Sequence, residues 1–201
     1  MSDVEPHQAR PEPSRPVLLT VGHSTHPIDV FLALLTGAGV ALVADVRRFA
    51  GSRRHPQFGA EALAGSLAGA GLGYRHLPQL GGRRSVQPDS PNDGWRVAAF
   101  RGYADHLRTP EFAQGRARLE AAARQQRTAI MCAEAQWWRC HRRLVADVFT
   151  FARWDVRHIM PGGRLVEHEP PPFAIRGADG LPVYPAAGQE GLLDAELSST
   201  Q

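Results

Sequence analysis

Three short, almost wholly apolar runs punctuate the chain: Val17-Leu18-Leu19-Thr20-Val21, Ala41-Leu42-Val43-Ala44-Asp45-Val46 and Thr128-Ala129-Ile130-Met131-Cys132. Each stops abruptly at a polar cluster. Runs this short and this continuously apolar suit strands covered on both sheet faces, and they leave little room for a two-layer fold with one wet face. Between them the period changes. Ile28, Phe31, Leu32, Leu34 and Leu35 recur at helical spacing, and Gly37 or Gly39 closes that helix. Ser24 or Thr25 is positioned to cap it, with Pro27 near its first turn. Residues 59–70, 95–108, 110–126 and 140–153 read as further helices, with Thr109-Pro110 as cap and start of the third of these. Residues 73–77 and 155–159 complete the strands. The alternation predicts an α/β fold, a single domain with a mostly parallel sheet of about five strands flanked by helices on both faces.

Residues 1–16 are polar and proline-rich and read as a disordered tail. The α/β domain runs over 17–168, and 169–201, with proline runs and little periodicity, reads as a mostly irregular C-terminal tail. Apolar residues make up 43% of the chain, enough for a core. No run approaches the roughly 18–20 apolar residues that span a bilayer, and the N-terminal stretch lacks the apolar segment of a secretory leader. The expectation is a cytoplasmic monomer with no membrane partner. Two cysteines make no disulfide framework and are expected as thiols.

In such a sheet the carboxyl ends of the parallel strands lie on one edge, where ligands bind. That edge gathers His23 and Ser24, then Asp45 with Arg47, and the turn after Cys132. All 23 basic residues apart from histidine are arginine, and the sequence pI is about 9.4. Arginine grips phosphate bidentately and stacks on bases, so a polyanionic partner is expected. Arg47, Arg48, Arg53, Arg54 and His55 form a cationic loop interleaved with Phe49 and Phe58. Arg83, Arg84 and Arg101 can extend that surface. His23 and Ser24 can hold an anion at a helix start. Asp45 and Glu134 are the candidate catalytic carboxylates; against this, Asp45 can simply pair with an arginine, and Glu134 can complement a helix dipole.

The densest cluster is the stretch from Cys132 through Glu134, Trp137, Trp138, Arg139, Cys140, His141, Arg142 and Arg143. A cysteine nucleophile at Cys132 would make a phosphatase- or rhodanese-like enzyme. The position after five intervening residues, which should hold arginine, is Trp138, and no glycine lets the loop wrap a phosphate. A buried, inert thiol is the better reading. Cys132, Cys140 and His141 offer three zinc ligands, yet no CxxC pair or fourth ligand accompanies them, so no metal and no other cofactor is expected. Arg139, His141 and Arg142 read as phosphate contacts. Two adjacent indoles cannot both face one interior, so Trp137 or Trp138, or else Tyr103, is expected to stack a base.

Several of these pieces in order resemble the family known as domain of unknown function 488: Val21-Gly22-His23-Ser24-Thr25, Asp45-Val46-Arg47, Gly51 to Phe58, Tyr74 to Arg84, Phe100-Arg101-Gly102-Tyr103-Ala104, and Met131-Cys132-Ala133-Glu134 on to Arg142. Trp137 departs from the pattern, where a smaller residue is expected. The resemblance implies an α/β fold with its site at the strand ends. It further implies a DNA glycosylase that excises an oxidised pyrimidine such as 5-hydroxycytosine, with damaged DNA as the partner. Such an enzyme must bind phosphates, extrude and stack a base, and support an oxocarbenium-like state with a carboxylate. The chain has no lysine, so apart from its N-terminal amine no Schiff base can form, and a glycosylase of this sequence is hydrolytic and monofunctional. The alternatives are the cysteine-dependent enzyme and a non-catalytic nucleic-acid-binding module.

Overall fold

A computed structural model describes residues 15–51 and 54–186. The chain runs β1 (Val17–Gly22), α1 (Ile28–Gly37), β2 (Leu42–Asp45), α2 (Ala60–Gly69), β3 (Gly73–His76), α3 (Ala98–His106), α4 (Pro110–Gln125), β4 (Thr128–Cys132), α5 (Arg142–Phe151), β5 (Asp155–Ile159), β6 (Leu165–Glu167), β7 (Ile175–Arg176) and β8 (Pro182–Val183). The main sheet has the order β3-β2-β4-β1-β5-β6. Its first five strands are parallel, and β6 is added antiparallel to β5. It is an α/β fold, with one strand more than the five read from the sequence.

The side-chain alternation of each strand divides the core between two faces. Leu19, Val21, Val43, Ala129 and Met131 pack under Phe31 and Leu35 of α1 and Leu63 and Leu67 of α2. Leu18, Ala44, Ile130 and Cys132 pack under Tyr103 of α3, Phe112 and Leu119 of α4, and Leu144 and Val148 of α5. Connections from β1 to β3 therefore run over one face and those from β3 to β5 over the other. The direction reverses around β4, which lies between β2 and β1. There the chain leaves neighbouring strand ends toward opposite faces and opens a crevice.

Some local expectations change. Thr109 caps α4 as expected, accepting a hydrogen bond from Phe112 N at 3.2 Å. Neither Ser24 nor Thr25 caps α1, which starts after Pro27 without a side-chain cap. Ser24 takes a φ of 47° in the turn after β1. The helix read at 95–108 starts at Ala98, because Trp95 turns inward against Phe100, Phe173 and Tyr184. The described part of the segment read as irregular, 169–186, carries the β7–β8 hairpin and inserts Tyr184 fully into the core.

That insertion completes a buried polar chain. The Tyr184 hydroxyl donates to Asp147 Oδ2 at 2.7 Å, His168 Nε2 reaches Asp147 Oδ1 at 2.6 Å, His168 Nδ1 lies 2.9 Å from His158 Nε2, and His158 Nδ1 lies 2.7 Å from the Thr20 hydroxyl. All five residues are buried. Trp137 lies parallel on His158 at 4.1 Å. Burial, reinforced by the charges of His168, Arg142 and Arg143, pushes the His158 pKa down to about 2. His158 is thus neutral in the folded protein, while its unfolded form takes a proton as the pH falls below 6.5. The stability it supports is intact above that value and declines as the pH drops, by about 1.4 kcal/mol per pH unit. Urea unfolding at pH 5 is expected to show a midpoint well below that at pH 7, and a His158→Gln variant is expected to reduce the difference. A wild-type profile that is flat over this range contradicts the account.

A cationic cleft at the strand ends

The crevice is a cleft of about 960 Å³, lined by the segments after β1, β2 and β4, by Gly82 and Arg83, and by the start of α3. Backbone hydrogen bonds tie its walls together beyond the sheet: His23 N to Cys132 O at 3.0 Å, Ser24 N to Ala133 O at 2.9 Å, and Val46 N to Met131 O at 3.0 Å. Gly22 is required here. A Cβ on it would collide with the Glu134 carbonyl and crowd the Arg142 guanidinium. Gly22→Ala is expected to displace the Glu134 segment and cost about 1–3 kcal/mol, read as a lower urea midpoint; an unchanged midpoint contradicts the packing described.

Asp45, at the end of β2, does not line the cleft. Its carboxylate is fully buried and saturated. Oδ1 accepts from Arg47 N at 3.0 Å and Nε at 2.9 Å, and Oδ2 from Arg47 Nη2 at 2.6 Å and the Tyr74 hydroxyl at 2.8 Å. This geometry leaves no lone pair for a water or a substrate and makes Asp45 the anchor of Arg47. Burial works against the Arg47 charge, but the hydrogen bonds and charge of Asp45 outweigh it and raise the guanidinium pKa. Arg47 is thereby fixed as a cation in the cleft wall. Its Nη1 lies 3.4 Å from His23 Nε2, while His23 Nδ1 donates to the Ser24 carbonyl at 2.9 Å. His23 stacks on Phe58 at 4.2 Å. Burial lowers the His23 pKa to about 4, so a neutral imidazole presents its lone pair to Arg47.

Glu134 is exposed in the segment after β4. It is the one carboxylate among the described residues lining the cleft, and its side chain makes no hydrogen bond or ion pair with another described residue. Its backbone is held from beneath. Arg142, 1% exposed, donates to the Glu134 carbonyl and to the Ala135 carbonyl, the latter at 2.8 Å. Arg142 is thus a strut for this loop, not the phosphate contact expected of it.

At the floor, Cys132 Sγ lies 3.7 Å from His141 Nδ1, and Cys140 Sγ lies at the same distance. His141 Nε2 donates to the Val46 carbonyl at 3.0 Å. A hydrogen bond from Cys140 leads the factors that hold the Cys132 thiol well below its ordinary pKa, with His141 and Arg142 adding to it. Burial pushes Cys140 the other way. Cys132 is buried, as the sequence reading has it, and its residue borders the cleft.

Of the other residues singled out from the sequence, His23, Ser24, Arg47, Arg54, Arg83, Arg139 and His141 line the cleft, and Arg48 joins them. Arg53 lies outside the described residues. Arg84 is turned away by Glu111, at 2.6 Å, and Arg101 by Asp93, at 3.0 Å. None of the three expected stacking residues lines the cleft. Tyr103 is fully buried, donating to the Leu80 carbonyl at 2.6 Å. Trp137 is engaged with His158, and Trp138 packs edge-on against Trp137 at 5.7 Å. The aromatic faces available in the cleft are Phe49, 65% exposed beside Arg48, and Phe100. The pairing of aromatics with adjacent arginines was the usable signal for them.

The family model described as Domain of unknown function DUF488 matches residues 27–149, which spans α1 through most of α5 and the greater part of the cleft. Comparison with curated proteins and with solved structures gives no match.

Proposed function

We propose that this chain, which belongs to the DUF488 family, is a hydrolytic DNA glycosylase that excises an oxidised pyrimidine such as 5-hydroxycytosine in base-excision repair. The observation that carries the reading is the composition of the cleft: Arg47, Arg48, Arg54, Arg83 and Arg139 line it together with a single carboxylate among the described residues, Glu134. At about 960 Å³ the cleft is at the upper end of small-molecule sites, with room for an extruded nucleotide and its flanking phosphates.

In this reading the arginines bind the backbone, and Phe49 or Phe100 supports the extruded base. Glu134 orients and deprotonates water while its charge stabilises the oxocarbenium-like sugar. Water adds to C1′, the C1′–N bond breaks, and the base leaves with the bonding pair and takes up a proton. Asp45 acts through Arg47, keeping it charged and aimed. The lack of lysine rules out a lysine Schiff base and favours water as the nucleophile.

The test is incubation with duplexes carrying a panel of oxidised pyrimidines, followed by alkaline cleavage at abasic sites. Abasic sites are expected at the position of at least one lesion, and none at normal cytosine. Binding without any abasic product would return the chain to a non-catalytic nucleic-acid module. Affinity is expected to fall steeply with salt, and Arg139→Ala is expected to reduce the slope of log K against log salt by about 1. A slope near zero in the wild type contradicts phosphate binding by these arginines.

A further inference from the structure

We propose that Cys132, Cys140 and His141 form a mononuclear site for a thiophilic divalent cation of the zinc class, with the fourth coordination position open to the cleft. The three donor atoms lie within 4.8 Å of one another. Nδ1 of His141 is 3.7 Å from each sulfur. A tetrahedral zinc ion with ordinary Zn–S and Zn–N bonds separates N from S by about 3.6 Å and the two sulfurs by about 3.8 Å. Both nitrogen–sulfur separations therefore already match those around a bound ion.

The second observation is how His141 is held. Its Nε2 faces the Val46 carbonyl at 3.0 Å, and a carbonyl only accepts, so Nε2 carries a proton and Nδ1 is the nitrogen left to face the sulfurs and bind an ion. A ligating histidine needs that outer hydrogen bond to fix its tautomer and ring plane. The third observation is the space beside Nδ1. A Cβ on Gly82 would sit 2.9 Å from it, so the missing side chain keeps that flank of the imidazole clear. Cys132, Cys140, His141 and Gly82 all line the cleft, which leaves water or substrate for the fourth position.

Two thiolates and an imidazole select zinc or a similar borderline ion over magnesium or calcium. Loading replaces two thiol protons with one dication, so up to two protons are released and the ligand set becomes neutral overall. Spacing alone hides this site. The segment 133–139, with its short turn at Trp137–Arg139, carries the chain out and returns it to the end of β4.

The test uses the full chain, reduced and freed of metal, then titrated with zinc chloride or cobalt chloride. About one ion per chain is expected to survive desalting, and the cobalt form is expected to show thiolate-to-cobalt charge transfer and the intense visible bands of a tetrahedral centre. Cys132→Ser, Cys140→Ser and His141→Gln, each checked for folding by circular dichroism, are expected to weaken retention by about 100-fold or more. These readouts do not depend on base excision, so they stand or fall separately from the glycosylase assignment. A reduced wild type that retains neither ion overturns the site. So do variants that retain it undiminished. Iodoacetamide labelling of Cys132 at the same rate with and without zinc also overturns it and leaves a nucleophilic cysteine in its place.

Discussion

Asp147→Ala is expected to lower the unfolding free energy by about 3–5 kcal/mol, as removal of one member of a buried, hydrogen-bonded ionic group does. Asp147 sits in the middle of α5, fully buried, and accepts from His168 at 2.6 Å and Tyr184 at 2.7 Å. Its loss leaves two buried donors without an acceptor and unties β6 and the segment after β8 from the helix. Tyr184→Phe removes one neutral donor and leaves Asp147 its histidine, so it is expected to cost about 1 kcal/mol. Urea unfolding followed by circular dichroism distinguishes the two. An Asp147→Ala midpoint as high as that of Tyr184→Phe would mean that the buried chain does not hold the C-terminal segment.

Glu134→Gln is expected to slow base excision by about 10²–10⁴-fold, the usual contribution of a positioned acid or base. The side chain is exposed and makes no hydrogen bond or ion pair with another described residue, and the substitution is nearly isosteric, so it leaves the Arg142 strut on the backbone intact. Folding and DNA affinity are expected to be unchanged, which separates a chemical role from a structural one. Asp45→Asn is expected to behave differently. It weakens the hold on Arg47, so affinity and rate fall together. A rate that survives Glu134→Gln but is lost in Asp45→Asn reverses these two roles.

The strands were legible because burial on both faces requires nearly continuous apolar runs, and β1, β2 and β4 are the three most apolar in the chain. The convergence of His23, Arg47 and Glu134 followed from topology alone, since parallel strands share one carboxyl edge. Which arginines face the cleft was not legible. Arg84 is claimed by Glu111 from α4 and Arg101 by Asp93 from the preceding loop. Such pairings depend on how helices pack rather than on any local pattern. The same holds for Asp45, whose position at a strand end suits catalysis and anchoring equally until the Arg47 fork is placed on it. His168 and Tyr184 carried no signal, because the segment after β5 has no periodicity. Asp147 carried a weak one, as a lone carboxylate inside the apolar run of α5. The indoles misled. Trp137 is occupied by a histidine at the end of the sheet, a partner that no sequence spacing announces.

The most direct test of the glycosylase account is mass-spectrometric detection of the free base released from a duplex carrying 5-hydroxycytosine, under single turnover, for wild type and Glu134→Gln side by side. The account predicts free 5-hydroxycytosine and an intact but abasic strand from the wild type, and on the order of a hundredth of that rate or less from Glu134→Gln. A strand cut without free base, or equal release by both proteins, would contradict it.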